Sequence, residues 1–375
     1  MIPVANVLIL SNAPFSPSGY GTQSAVLCKI LRDLGHEPAV VAFHGLQGRP
    51  ITYDGVLVYP GSGEDPWATD VLGAHYRHFN ADLLITLMDA WVLDPGRLAG
   101  MNVAHWMPVD CDPLSSMDRR VLDGAGARPI AMARSGEKVL RDAGYDPLYA
   151  PHSIDLGVWH PLADRAAERK AAGVDGKFVV AIHAANQDPF RKGFAEMLQA
   201  FALFAARHDD AVLALHTREN TRQGIDVRSL ISACGISDRV ISADQYLVAS
   251  GMITDAQMAR WQGLADVLMN CAWGEGFGLA VLQSQAVGTP VIVTDASAMS
   301  ELCGAGWKVG GQPGWNRGHN AWWKVPYVAE IDAALEEAYT SAGGMREQAR
   351  EFALPYDYRA VATRYWKGVL GELLP

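Results

Sequence analysis

The sequence predicts an α/β fold of two doubly wound domains, and three observations carry that prediction. Apolar strand-like runs alternate with amphipathic helical stretches along the chain, which implies parallel sheets covered on both faces. A proline-bearing stretch without periodicity interrupts the alternation once, at 151–162. The length of 375 residues exceeds what one hydrophobic core usually serves.

The first strand is expected over Val4–Leu10, followed by a Ser, Pro and Gly loop from Ser11 to Gly21. Leu27, Ile30, Leu31 and Leu34 then recur at helical spacing, and Gly35 supplies the stop. Further strands are expected at Ala39–Phe43, Val56–Tyr59, Leu83–Leu87 and Asn102–Trp106. These elements make an N-terminal domain of residues 1–150. Residues 151–162 read as the linker, with Pro151, Trp159 and Pro161.

The second domain, 163–352, restarts with a helix at Asp164–Ala172 and a strand at Phe178–His183. A helix follows whose apolar face is Phe194, Met197, Leu198, Phe201, Phe204 and Ala205. Strands are expected at Val212–His216, Val240–Ser242, Val267–Asn270 and Val291–Thr294. Trp307, Trp315, Trp322 and Trp323 read as packing for a long loop near the end of this domain. A last segment, 353–375, contains a helix with Tyr365, Trp366 and Leu370.

Composition narrows the function classes. The formal net charge is −10, from 31 basic and 41 acidic residues, with no run of like charges, which disfavours nucleic acid and anionic lipid as partners. Five scattered cysteines form no C-x-x-C pair, so a disulfide framework or structural zinc is not expected. No apolar run is long enough for a transmembrane segment, and the N-terminus lacks a signal-peptide pattern. The expectation is a cytoplasmic protein.

The chemistry concentrates between Asp266 and Thr294. An apolar strand leads into Ala272-Trp273-Gly274-Glu275-Gly276-Phe277-Gly278, and a helix begins at Leu279. Glycines at a strand-to-helix turn let backbone amides approach an anion, and the helix dipole favours negative charge there. Glu275 in the same loop repels phosphate unless it faces uncharged donors such as sugar hydroxyls. A nucleotide carrying a sugar meets both demands.

The run Gly274-Glu275-Gly276-Phe277-Gly278-Leu279, with Gln283 and then Ala286-Val287-Gly288-Thr289-Pro290, resembles the E-x7-E signature of retaining GT-B glycosyltransferases of family 4. That resemblance implies two Rossmann-like domains facing a central cleft. It assigns Glu275 to the donor sugar's hydroxyls, and Gly276, Phe277, Gly278 and Leu279 to the loop that meets sugar and diphosphate. The nucleotide ribose falls to Gln283, where the family has a second Glu; the amide either contacts ribose or is a satisfied buried group.

Arg191-Lys192-Gly193 resembles the family's phosphate-binding Lys-Gly. Lys192 would then neutralise the departing diphosphate. Asn186 stands where the family often has arginine, leaving Arg191 as a substitute cation. Ser18-Gly19-Tyr20-Gly21-Thr22 resembles the glycine loop that closes on the donor, so Gly19 and Gly21 are donor-side candidates as well as turn residues. The final helix, 353–375, would cross back to the first domain. His105, at a strand end, either orients the acceptor or is a core histidine. Asp110 and Asp112 form a D-x-D triplet of the kind that binds metal in another glycosyltransferase fold; here they are candidates for acceptor contact and not for metal.

The implied function is transfer of a sugar from a UDP- or GDP-type nucleoside diphosphate sugar to an acceptor hydroxyl with retention, with no cofactor or metal beyond the donor. Three alternatives stay open. A dinucleotide-dependent oxidoreductase needs G-x-G-x-x-G, but Ser24 stands at the third glycine after Gly19 and Gly21. A non-catalytic sugar-nucleotide-binding protein would accommodate Gln283 and Asn186. A glycosyltransferase acting on modified DNA would keep the chemistry and change the acceptor.

Overall fold

The computed structural model describes residues 4–374. By contact density the chain divides into two compact units. Unit 1 is Met1–Ile154, Asn316–Ala321 and Tyr356–Pro375; unit 2 is Asp155–Trp315 and Trp322–Pro355. Among the described residues no helix is long and apolar enough to cross a membrane.

In unit 1 the strands are β1 (Asn6–Asn12), β2 (Glu37–His44), β3 (Ile51–Tyr53), β4 (Val56–Pro60), β5 (Leu83–Leu87), β6 (Val103–Met107), β7 (Arg128–Ala131) and β8 (Leu148–Tyr149). They line up as β3-β4-β2-β1-β5-β6-β7-β8, parallel except for the antiparallel β3 at one edge. Val7, Leu8, Ile9 and Leu10 of β1 are fully buried, as a central strand covered on both faces requires. The chain leaves β1 in one direction and returns to its other side at β5, so the strand order reverses between β1 and β5.

In unit 2, β9 (Phe178–His183), β10 (Ala211–His216), β11 (Val240–Ser242), β12 (Val267–Asn270), β13 (Val291–Thr294) and β14 (Gly306–Val309) form a parallel sheet in the order β11-β10-β9-β12-β13-β14. Here the reversal lies between β9 and β12. The helix Phe194–Ala205 covers this sheet with Phe194, Met197, Leu198, Phe201 and Phe204, each at most 3% exposed, against Phe178, Val180 and Ile182. Removing Phe201 down to alanine would cost about 3–5 kcal/mol.

The tryptophan-rich stretch expected as a loop is a hairpin of β15 (Gly311–Asn316) and β16 (Ala321–Pro326). One face is close-packed: a Cβ at Gly314 would meet Val325 at 2.8 Å and Trp273 at 3.8 Å. Trp315 and Trp322 instead stay about half exposed and pair edge-on with ring centroids 4.8 Å apart. Packing of the loop interior, the role expected for these two side chains, is therefore not theirs.

Candidate functional site

Ligands in open parallel sheets bind beyond the strands' carboxyl ends, at the point where strand order reverses. In unit 2 that point is flanked by the loop after β9, residues 184–193, and the loop after β12, residues 271–278. Both loops are built tightly. The Asp188 carboxylate accepts from the backbone amides of Phe190 (2.8 Å) and Arg191 (2.6 Å), curling the chain into a turn. Gly193 closes it in the left-handed region at φ +63°, where a Cβ would sit 2.2 Å from the Cys271 carbonyl oxygen. Only glycine fits, and this fixes where Arg191 and Lys192 start.

The second loop is tied to the first by the Trp273 amide, which donates to the Arg191 carbonyl at 2.7 Å. The Glu275 amide donates to Ser297 Oγ at 3.0 Å, and Gly278 enters the next helix, Leu279–Ala286, at φ +98°. Glu275 is thereby placed against both cations. Lys192 Nζ donates to its Oε1 at 2.5 Å, and Arg191 Nη1 donates to its Oε2 at 3.2 Å and to the Gly274 carbonyl at 3.2 Å. Glu275 as a whole residue is only 9% exposed. Burial pushes its pKa up, but Lys192 and Arg191 outweigh burial and hold the carboxyl below its ordinary range. His183, the last residue of β9, is pushed down to about 3 by burial, with His216 and Lys192 adding to the effect.

Of the other residues singled out in this unit, Gly276, Phe277 and Gly278 are buried in the same loop. Leu279 opens the helix, and Gln283 lies further along it at 5% exposure. Asn186 is placed differently from a ligand contact. It is 1% exposed, and its side-chain amide donates to the carbonyls of Arg218 (3.0 Å) and Ile225 (2.7 Å) while its oxygen accepts from the Ile225 amide (2.9 Å). It staples the loop 218–225, and Gly224 leaves room for it, since a Cβ there would lie 2.0 Å from Asn186 Oδ1. Sequence reasoning missed Asp188, Ser297 and the aromatic stack of Phe190 on Trp273, with centroids 5.8 Å apart and planes at 27°. Phe190 is 61% exposed on the rim of the ion pairs.

Unit 1 presents a different set. Gly19 begins the helix Gly19–Asp33, whose cap Ser18 accepts from the Gly21 amide at 3.0 Å. A Cβ on Gly21 would meet the Ser16 carbonyl at 2.2 Å, so this glycine serves the turn itself; Gly19 has open space around it. His105 is fully buried, shares a 2.6 Å hydrogen bond with Thr86 Oγ1, and is pushed down to about 4 by burial. Its imidazole is therefore neutral at ordinary pH, and its buried Nε2 has no hydrogen-bond partner among the described residues. Asp110 is half-buried and Asp112 exposed in the segment after β6. Asp118, 7% exposed, is pushed up to about 7 by burial and by the nearby Asp89 and Asp110. Asp89 also accepts from Tyr20 Oη at 3.1 Å. Among the described residues no group of three or more His, Cys, Asp or Glu is arranged to hold a metal ion.

Residues 178–314 match the family model described as Glycosyl transferases group 1, a span that contains the whole cation–carboxylate site. The D-inositol 3-phosphate glycosyltransferase of Arthrobacter sp. (strain FB24) is 33% identical over 188 residues, which is 48% of this chain and 42% of that protein. The chain thus spans less than half the length of that relative. Among solved structures, sucrose-phosphate synthase from Thermosynechococcus elongatus superposes with a TM-score of 0.77 at 15% identity, covering 98% of this chain and 99% of that one. Anabaena HepE, solved in complex with UDP and glucose, gives a TM-score of 0.69 at 14% identity over 98% of this chain and 100% of its own. At such identity the likeness concerns the fold. The chain has the GT-B fold, and its segment 178–314 carries the match to the group 1 glycosyl transferases.

Proposed function

We propose that the protein is a retaining glycosyltransferase that moves a sugar from a UDP- or GDP-type nucleoside diphosphate sugar to an acceptor hydroxyl. The observation that carries this reading is the Arg191–Glu275–Lys192 cluster at the β9/β12 reversal, within the segment matched to the group 1 family. Two cations suit a diphosphate, and one carboxylate between them suits sugar hydroxyls, which accept and donate hydrogen bonds without opposing charge. Lys192 and Arg191 would stabilise the negative charge that grows on the departing nucleotide, an effect worth about 100- to 1000-fold for one well-placed donor. Glu275 would hold the transferring sugar, and Gln283 the ribose. Retention rests on the resemblance to family 4, as does the assignment of no metal; the cytoplasm is the proposed compartment. HepE, a neighbour in fold, was solved with UDP and glucose bound, which favours this donor class.

The test is release of nucleoside diphosphate from UDP- and GDP-sugars by the purified chain, with and without a panel of hydroxyl acceptors. One donor family should be turned over, and Glu275→Ala should slow it at least 100-fold. Failure to turn over any sugar nucleotide, even by slow hydrolysis, while one still binds tightly would favour a non-catalytic binding protein.

A further inference from the structure

Glu275 occupies the same two cations that the proposed donor's diphosphate requires. Its Oε1 takes Lys192 and its Oε2 takes Arg191, so each carboxylate oxygen carries one cation. The pairing is largely withdrawn from water, with the Lys192 and Glu275 side chains 13% and 12% exposed and that of Arg191 27%. Charges removed from water this far must be compensated, and the carboxylate supplies that compensation.

The backbone on both sides is fixed. Asp188 and Gly193 set the turn that bears the cations, and Ser297 Oγ holds the Glu275 amide. These contacts leave the side chains of Lys192, Arg191 and Glu275 as the parts that exchange partners at least cost. A diphosphate entering beside Glu275 meets two cations and one repelling carboxylate. If the ligand also carries a sugar, its hydroxyls give the carboxylate new partners and the cations are released to the phosphates. A bare nucleoside diphosphate offers the carboxylate nothing, and Glu275 competes with it for Lys192 and Arg191.

Resting on the function proposed above, we propose that Glu275 is a built-in competitor of the diphosphate, which makes the site favour the sugar-bearing nucleotide and drives off the nucleoside diphosphate left after transfer. The residue thus sets specificity between donor and product in addition to holding the sugar.

Inorganic pyrophosphate, UDP and GDP titrated calorimetrically into the full chain test this directly. Wild type, Glu275→Gln and the double variant Glu275→Gln/Lys192→Gln are compared, with Glu275→Ala as a second removal of the charge and thermal unfolding as the check on folding. Pyrophosphate and the accepted nucleoside diphosphate should bind Glu275→Gln at least tenfold more tightly than wild type, and the gain should vanish in the double variant. Equal or weaker binding by both Glu275 variants, with wild type still binding, would overturn the competition while leaving the diphosphate site in place. Absence of binding by every folded variant would overturn the diphosphate site itself and the competition with it.

Discussion

The reversal between β9 and β12 in unit 2 gathers charges of both signs, whereas the segments that follow β5 and β6 in unit 1 gather carboxylates. At the first, Glu275 is buried yet held ionised because Lys192 and Arg191 touch it. At the second, Asp118 is buried beside Asp89 and Asp110, and its proton is retained up to about pH 7. Comparable burial of a carboxyl group leads to opposite protonation because the neighbours differ in sign.

The largest effect expected from breaking this contrast is on turnover. Lys192→Ala should lower transfer by about 100- to 1000-fold, as loss of a preorganised positive group at a leaving diphosphate does. Steady-state rates with the accepted donor measure it, and a change below threefold would place the leaving group elsewhere.

Asp118→Asn probes the other side of the comparison. The folded-state pKa of Asp118 lies above its ordinary value of 3.8, so the native protein loses stability as pH rises from about 4 to about 7. The asparagine variant escapes that loss. It should match wild type near pH 4 and exceed it above pH 7, by as much as about 4 kcal/mol at roughly 1.4 kcal/mol per pKa unit. Denaturant titrations at pH 4.5 and 8 read the difference. A pH-independent difference would mean that burial and the neighbouring Asp89 and Asp110 do not hold the Asp118 proton.

A smaller loss is expected from Asn186→Ala. It strands the Arg218 and Ile225 carbonyls and the Ile225 amide, and should cost about 1–3 kcal/mol in unfolding free energy. Pyrophosphate affinity should stay within threefold of wild type, which separates a loop staple from a phosphate contact. Phe190→Ala should change stability least, within about 0.5 kcal/mol, because the ring is 61% exposed.

Legibility of the sequence followed the same physics. The strands Leu83–Leu87, Phe178–His183 and Val267–Asn270 are mostly apolar runs, and the structure places them at the positions expected. The cation turn and the Glu275 loop were visible because close backbone approach leaves glycine as the residue for positions such as 193 and 278. Strand β7 was hidden by Pro129, and β8 by having only Leu148 and Tyr149. The β15–β16 hairpin lacks an alternating pattern, since glycine and proline share β15 with exposed tryptophan. Asn186 could not be read as a staple because its partners are backbone groups 32 and 39 residues away. Nor could the crowding at Asp118, which depends on how separate segments of unit 1 fold together.

The most direct test of the central claim is a thermal-unfolding panel of UDP, GDP and their sugar conjugates on wild type and Lys192→Ala. Ligand at a hundred times its dissociation constant should stabilise wild type by about 2.7 kcal/mol. One nucleotide family should produce that shift, and at the same concentrations Lys192→Ala should lose most of it. No shift with any sugar nucleotide, or a shift that survives Lys192→Ala unchanged, would contradict a diphosphate site built on Lys192, Arg191 and Glu275.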